Sequence, residues 1–562
     1  MACEQVSRAM PTGSNGDFGY MKKYVIGVDF GTLSARAVIV DTANGRELAA
    51  SECTYAHGIL GEADISGERT AAATALQHPS DYKDALSATV RDVLRKSGVR
   101  RESVVGLCID CTASTPLPYL DDGTPLALTE DLGRDPEAYI KLWKHHGAEQ
   151  EAEKMTDIAR LCGDARLSDY GGVISAEWLF PKIAEMIRKS PAVYERADVI
   201  AEAAEWLTEI ITGERKRSAC FAGYKSLWSA ERGYPSPEYL AKIDPALPDA
   251  LAKLRGEVLP LGGVAGYLSA EGERLTGLAA GTAVATPVID AHAALPAAGV
   301  TQCGELMISF GTSACHIVLS DKDAPIPGIC GKVMGGVIPG LYAYEAGQPC
   351  VGDMLGWFVS RCLPAEYESE AARLGISSFD HLNRLAEGLE VGASGLVALD
   401  WWNGNRSPYV DYELSGLILG LTLKTRPEEI YHALISSIAF GTKRLIELYK
   451  TGGIEINRIV AAGGIPQKNK FFMQVMADVL GAEISVAKTR QAGAKGSAIY
   501  AAVAAGCYPT VGEAAYAMAD DCTATYSPVP ERTEKYAALY EVYLQLSEHF
   551  AASDIMKRLR RK

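Results

Sequence analysis

Leu306-Met307-Ile308-Ser309-Phe310-Gly311-Thr312-Ser313-Ala314 reads as a buried strand, a tight turn and the start of a second strand. The pattern has a twin near the N-terminus, Val25-Ile26-Gly27-Val28-Asp29-Phe30-Gly31-Thr32-Leu33-Ser34-Ala35, in which Phe-Gly-Thr stands 280 residues earlier (310 minus 30). In each turn the glycine removes a side chain and the threonine adds a hydroxyl. Backbone N–H groups and one O–H can therefore converge on a phosphate-sized oxyanion. Two copies of one hairpin predict two related α/β halves facing each other. Within the stretch Thr282 to Leu319, Val288-Ile289-Asp290-Ala291-His292 sets a lone carboxylate a short way before the second copy. The copies differ where Asp29 of the first is replaced by Ser309 of the second. A carboxylate at the mouth of such a turn repels a bare phosphate and calls for a divalent cation between them.

Working outward, 562 residues with 48% apolar and 22% charged side chains exceed what one core holds, which predicts two large domains with a binding cleft between them. A net charge of −15 argues against a nucleic-acid or membrane-surface partner and for a small one. Thirteen scattered cysteines form no disulfide framework and point to reduced thiols in the cytoplasm. Cys108-x-x-Cys111 lacks the second pair a zinc site needs and reads as two strand-end thiols. Adjacent residues point different ways on a helix, so His145-His146 is expected as an exposed pair. Met1 to Tyr20 reads as a disordered leader without a signal-peptide core. The weakly apolar run Ala279 to Val300 is broken by Asp290, His292 and two prolines and is no membrane span.

In chain order, Tyr24 to Asp29, Ala35 to Asp41 and Glu47 to Tyr55 form a meander with a turn at Asn44-Gly45. A helix is expected from Asp81 to Lys96, capped by Ser80 and stopped by Gly98. The strand Val104 to Ile109 ends in Asp110-Cys111-Thr112-Ala113-Ser114-Thr115, where ligand contacts are expected at a strand's carboxyl end. Glu177 to Ile183 and Ala201 to Thr212 read as helices of an insertion, and Cys220 to Trp228 as a loop bringing Tyr224 and Lys225 to the cleft. Tyr342 to Gln348 is a strand carrying Glu345, and Asp400-Trp401-Trp402-Asn403-Gly404-Asn405-Arg406 is a polar aromatic loop to which the residues alone give no role. Thr425-x-x-Glu428 with Pro427 is a capping box opening a long helix. After the strand Arg458 to Ala462, Gly463-Gly464-Ile465-Pro466-Gln467-Lys468-Asn469 leads into a helix from Lys470 to Leu480. Paired glycines there let a flat ring or a phosphate approach the backbone. Gly493-Ala494-Lys495-Gly496-Ser497-Ala498 opens a small-residue helix suited to close packing, and Lys557 to Lys562 completes a helix C-terminus. Neither a P-loop nor a G-x-G-x-x-G motif is present.

Asp29-Phe30-Gly31-Thr32, Ser309-Phe310-Gly311-Thr312-Ser313 and Gly463 to Asn469 resemble the two phosphate motifs and the adenosine motif of the actin, sugar-kinase and heat-shock ATPase superfamily. The wider pattern is similar to its FGGY carbohydrate kinases, from about Lys23 to Leu559. It rests on Asp110 to Pro116, Leu142-Trp143-Lys144, Gly223 to Trp228, Ile289 to His292, Tyr344 to Gln348 and Leu399 to Arg406. The resemblance implies two ribonuclease H-like, actin-like ATPase domains with a cleft between them, over residues 21–297 and 298–550, with the leader at 1–20 and a basic tail at 551–562. It implies ATP- and Mg2+-dependent phosphorylation of L-ribulose at its terminal hydroxyl, in arabinose breakdown. By motif, Asp290 is the catalytic base and Asp29 the metal-side carboxylate, while Lys225, Glu345, Ser114 and Thr115 join Asp290 around the sugar. Gly31, Thr32, Gly311, Thr312, Ser313, Gly463, Gly464, Gln467 and Asn469 take the nucleotide. A homodimer stays open as an assembly. The chain departs from the family pattern at His145 and Gly147, where Trp-Lys-Asp-His-Thr is usual, which puts contacts from that loop in question. Two alternatives stand beside this reading: another kinase specificity, such as D-ribulose, xylulose or glycerol, and a non-enzymatic nucleotide switch. Asp290, Lys225 and Glu345 together count against the switch.

Overall fold

The computed structural model describes residues 22–67, 74–488 and 491–560. The expected leader lies outside them. β-Branched, apolar segments separated by glycine turns build two large sheets. In the first, β1 (Tyr24–Phe30), β2 (Ser34–Asp41) and β3 (Glu47–Thr54) form the antiparallel meander. β4 (Val104–Cys111), β5 (Val264–Tyr267), β6 (Ala283–Ala285) and the short β7 (Val288–Ile289) complete it. The second contains β8 (Glu305–Phe310), β9 (Ala314–Ser320), β10 (Gly331–Met334), β11 (Tyr342–Gln348), β12 (Arg458–Ala462), β13 (Ile484–Ala487) and β14 (Cys522–Tyr526).

The two sheets share one plan. The first runs β5-β6-β4-β1-β2-β3, with β7 beside β4, and the second runs β14-β13-β12-β8-β9-β11-β10. In each, a central strand pairs antiparallel with the next strand of its meander and parallel with a later strand: β1 with β2 and β4, β8 with β9 and β12. The duplication read from two hairpins therefore extends through whole sheets. Strand alternation splits β8 between two cores: Met307 packs with the residues of the first half, while Leu306, Ile308 and Phe310 pack with Tyr431, Leu434 and Phe472 of the second.

The helix Ala492–Ala504 follows β13 in sequence but lies on the first sheet. Only glycine permits that approach: a Cβ on Gly27 of β1 would stand 1.8 Å from Ala494 O, and one on Gly496 would stand 1.6 Å from Ala293 O of the helix Asp290–Ala297. The small residues of Gly493 to Ala498 thus bring this helix directly beneath the carboxyl ends of β1 and β4.

Several local expectations shift. Cys220 to Trp228 is not a loop; Ala219–Lys225 is a helix whose N-terminus is closed by Ser218 Oγ accepting from Cys220 N at 3.2 Å, and every residue of it is buried. The helix expected from Asp81 begins at Pro79, so His78 rather than Ser80 is its cap. The capping box lies one residue later than expected, with Arg426 N donating to Glu429 Oε2 at 2.7 Å, because Glu428 is drawn inward to accept from Tyr367 Oη. His145 is fully buried rather than exposed: its Nε2 lies 2.7 Å from Glu185 Oε2, and burial pulls its pKa down to about 4 against the opposing pull of Glu185. Cys108 and Cys111 are buried on β4, and the twelve described cysteines are all free thiols. Among the described residues no helix is long and apolar enough to cross a membrane.

Candidate active site

Parallel pairing of β1 with β4 places Asp29 opposite Asp110, and β7 pairs Val288 with Asp110 and Ile289 with Cys111. The chain then enters the helix Asp290–Ala297, so three carboxylates gather at one end of the first sheet. Burial pushes all three up. Asp29 is raised by burial, offset by its contact with Asp110 and by Arg36, whose guanidinium stands 3.8 Å away. Asp110 is raised well above the carboxylate range by burial and by the charge of Asp29. Asp290 is pushed to about 6 by burial and then by Asp29, although Ala291 N donates to its Oδ1 at 2.7 Å. Ser497 Oγ donates to Asp110 Oδ2 at 2.6 Å, while Asp110 Oδ1 is buried and meets no donor. A Cβ on Gly493 would come within 3.0 Å of that oxygen and 3.1 Å of Asp29 Cγ, so glycine keeps the approach to both carboxylates clear. A carboxylate pair of this kind, with an unanswered oxygen, fits a hard divalent cation. Asp110 was legible only as part of a polar strand end; its pairing with Asp29 is a matter of sheet register.

A cavity of about 570 Å³ is lined by Lys225, Glu345, Glu177, Arg406 and Tyr412 among others. Lys225 comes from the end of the helix Ala219–Lys225 and Glu345 from β11. Burial raises the pKa of Glu345, but Lys225, His292 and Arg406 outweigh it and hold the carboxyl down to about 2. Lys225 is likewise opposed by burial and kept charged by Glu345 and Glu177. His292, two residues beyond Asp290, packs its ring on Tyr224 at 4.3 Å. Its Nε2 stands 3.2 Å from Glu345 Oε2 at an angle that leaves both ring nitrogens without a hydrogen bond. Ser114 and Thr115 are placed differently from Lys225 and Glu345. Their hydroxyls are fully buried and turned to Glu202, at 2.8 and 3.1 Å, so Glu202 and not the cavity takes their hydrogen bonds.

A second cavity, of about 510 Å³, is lined by Ser309, Ala462, Gly463, Gly464, Gln467, Lys468 and Ala492. Parallel pairing of Ser309 with Ala462 puts the second hairpin beside the glycine pair. Gly463 has φ +102°, and a Cβ on it would strike Phe310 O at 2.2 Å, whereas Gly464 has open space around it. Gln467 Nε2 reaches Ala487 O and Lys488 O at 3.4 Å each. Asn469 lies outside this lining and caps the helix Lys470–Leu480, its Oδ1 accepting from Phe472 N at 2.9 Å. Thr312 and Gly311 are exposed at the turn, with Ser313 half-buried. Their backbone is seated by Val351 N donating to Thr312 O at 2.8 Å and Gly352 N to Gly311 O at 3.0 Å. In the first hairpin, Gly31 N donates to Ser34 O at 3.0 Å, and Thr32 accepts from Trp143 Nε1 at 3.2 Å on its hydroxyl and from Gln77 Nε2 at 2.9 Å on its carbonyl. The contact of Trp143 with the hairpin joins segments 111 residues apart, and no local pattern announces it.

Residues 306–505 match the C-terminal domain of the FGGY family of carbohydrate kinases. Over 547 residues the chain is 44% identical to a curated ribulokinase of Anoxybacillus flavithermus, covering 96% of this chain and 97% of that one. The ribulokinase of Mycolicibacterium smegmatis is 41% identical over 543 residues, 96% of each. Among solved structures, the xylulose kinase of Rhodospirillum rubrum superimposes with a TM-score of 0.76 over 94% of this chain and 100% of that one, at 23% identity. Plasmodium falciparum glycerol kinase with ADP gives 0.73 over 93% and 98%, at 15% identity. These structures establish a shared two-domain, actin-like ATPase fold.

Proposed function

The chain belongs to the FGGY family of carbohydrate kinases and is an ATP-dependent sugar kinase, and we propose that it phosphorylates L-ribulose at O5, with Asp290 as general base. The observation that carries the assignment of Asp290 is its setting: the pairing of β7 with Asp110 and Cys111 brings it to the strand ends that carry Asp29 and Asp110, and His292, two residues on, stands 3.2 Å from Glu345. Asp290 thus joins the carboxylates at the end of the first sheet to the helix whose His292 meets Glu345. The names of the relatives supply the sugar, and a cavity lined by buried Lys225 and Glu345 supports it, since a ketopentose offers only hydroxyls and a carbonyl to read.

Phosphoryl transfer through a loose transition state needs positioning, charge neutralisation and a late acceptor for the hydroxyl proton. Asp290 Oδ2 takes the O5 proton, while Ala291 N holds Oδ1 and fixes the carboxylate plane. Lys225 donates to sugar oxygens and Glu345 accepts from sugar hydroxyls, with His292 wedged between Tyr224 and Glu345 to keep that carboxylate in place. Gly31, Thr32, Gly311, Thr312 and Ser313 present N–H and O–H groups to the phosphates, and Gly463, Gly464 and Gln467 border the adenosine space. Asp29 and Asp110 would hold Mg2+, which when bound offsets negative charge on the phosphates. Closure of the halves over the cleft excludes water from ATP. Free cysteines throughout the described chain fit a cytoplasmic location.

ADP release measured with magnesium and ATP across L-ribulose, D-ribulose, D-xylulose, L-xylulose, L-arabinose and glycerol tests this reading. Strong stimulation by L-ribulose is expected. Preference for another sugar moves the specificity, and ATP turnover indifferent to every sugar overturns the assignment.

A further inference from the structure

The loop Asp400 to Arg406, given no role by the sequence, is built as a rigid support. Asp400 accepts from Gln348 Nε2 at 2.8 Å and from Tyr543 Oη at 2.9 Å, which ties the loop to β11. Asn405 and Asp411 exchange backbone hydrogen bonds at 2.8 Å each, and Asn405 Oδ1 accepts from Tyr409 N at 3.0 Å. Between these fixed points Arg406 projects across β11 over Gly347. A Cβ there would stand 2.9 Å from Arg406 Cδ. Gly347 and Glu345 are two residues apart on one strand and face the same side, so the arginine stem lies on the face that carries Glu345.

The Arg406 head reaches the opposite half of the molecule, where its Nη2 stands 3.5 Å from Glu177 Oε1, with 24% and 12% of the two side chains exposed. Both line the 570 Å³ cavity together with Lys225 and Glu345. Each half contributes both positive and negative groups to that lining, among them Lys225 and Glu177 from the first and Arg406 and Glu345 from the second. Asp290 opens the helix that carries His292 two residues on, and His292 Nε2 stands 3.2 Å from Glu345 Oε2, whereas Arg406 lies over Gly347, two residues further along β11, with its head at Glu177. Asp290 thus enters beside His292, and Arg406 beside Glu177.

We propose that Arg406, steered by Glu177, is a further sugar-binding, specificity-determining residue that donates to the oxygens at the C1–C2 end of the ketopentose. This rests on the kinase reading above, because a sugar with O5 at Asp290 directs its carbonyl end toward Arg406. A planar guanidinium fork can address a carbonyl oxygen and the neighbouring hydroxyl together, which a lysine ammonium does not. Glu177 and Tyr412 hold the fork in place when no sugar is bound.

The test compares wild type with Arg406→Gln, Arg406→Lys and Glu177→Gln, following L-ribulose and ribitol, which keeps the terminal hydroxyl and lacks the carbonyl, as substrates or competitive inhibitors. In Arg406→Gln the KM for L-ribulose is expected to rise tenfold or more, with kcat within about threefold and KM for ATP unchanged. Ribitol affinity falls less, so discrimination between the two compounds drops. Arg406→Lys restores little of it, and Glu177→Gln gives a smaller rise in KM. A thermal melt of each variant separates loss of fold from loss of sugar. Equal, small changes for both compounds in a folded Arg406→Gln protein overturn the proposal while leaving the kinase reading intact, as does full recovery in Arg406→Lys. Wild-type protein idle with L-ribulose overturns both.

Discussion

The two Phe-Gly-Thr hairpins have the same strands, the same turn and the same pairing to a later parallel strand, yet their surroundings diverge. The first puts Asp29 at the strand end opposite Asp110, a carboxylate facing a carboxylate. The second puts Ser309 there opposite Ala462, with the glycine pair and a cavity of about 510 Å³ next to it. The first turn is gripped by two side chains, Trp143 and Gln77, while the second rests on backbone N–H groups at the start of the helix Gly352–Trp357. One duplicated scaffold is thus divided: the first copy gathers carboxylates at its strand ends, while the second stands beside a cavity lined by small residues together with Gln467 and Lys468. Duplication supplies the geometry, and the residues flanking it decide which half does what.

The division can be broken most severely at Asp290. Asp290→Ala should lower kcat by about a hundred- to ten-thousand-fold while ATP still binds, measured by turnover and by nucleotide titration; near-normal turnover would falsify the base assignment. Asp29→Ser, which gives the first hairpin the second one's residue, should cost on the order of a hundredfold in kcat, with weaker Mn2+ binding seen directly by paramagnetic resonance. The reciprocal Ser309→Asp should leave cation binding in place and raise the KM for ATP about tenfold, because a carboxylate then faces the nucleotide cavity. If both exchanges affected metal and ATP equally, the two halves would not be specialised.

Smaller effects sharpen the contrast. Asp290 must be ionised to accept a proton and its pKa is pushed up to about 6, so kcat/KM should fall on the acid side. With magnesium saturating, the midpoint should lie at or below that value, since a cation beside Asp29 relieves the repulsion. Each half also buries a neutral histidine, His145 in the first and His316 in the second, with pKa values pulled by burial to about 4 and about 3. Their folded values lie below the unfolded one, so the stability they confer is complete above about pH 6.5 and is lost as pH falls toward 4. At pH 5 the loss should reach about 2 kcal/mol per histidine, and His316→Asn should flatten the acid limb of a denaturation profile. Least of all, Trp143→Phe, which removes one donor to Thr32, should raise the KM for ATP a few-fold at most.

Hairpins, strand ends and the glycine pair were legible because each is a local rule: β-branched runs make strands, and only glycine tolerates the φ of +102° at Gly463 or the 2.2 Å approach to Phe310 O. Motif resemblance marks Asp290, Lys225 and Glu345, and the structure sets Lys225 and Glu345 together on one cavity. Ser114 and Thr115 were marked by the same resemblance, but their burial against Glu202 depends on a partner 88 and 87 residues away. The helix carrying Lys225 is not legible in the sequence, because its short, small-residue run has too little periodicity to announce itself.

The sequence by itself determined the duplicated α/β plan, the phosphate-sized turns and the asymmetry of Asp29 against Ser309, since these follow from local backbone preference and from which side chain is present. Only the tertiary structure decided that Asp110 stands beside Asp29, that a helix late in the chain lies under both, and that Arg406 meets Glu177 across the cleft. Those pairings join residues far apart in sequence, and they are fixed by strand register and by glycine-permitted contact rather than by any pattern along the chain.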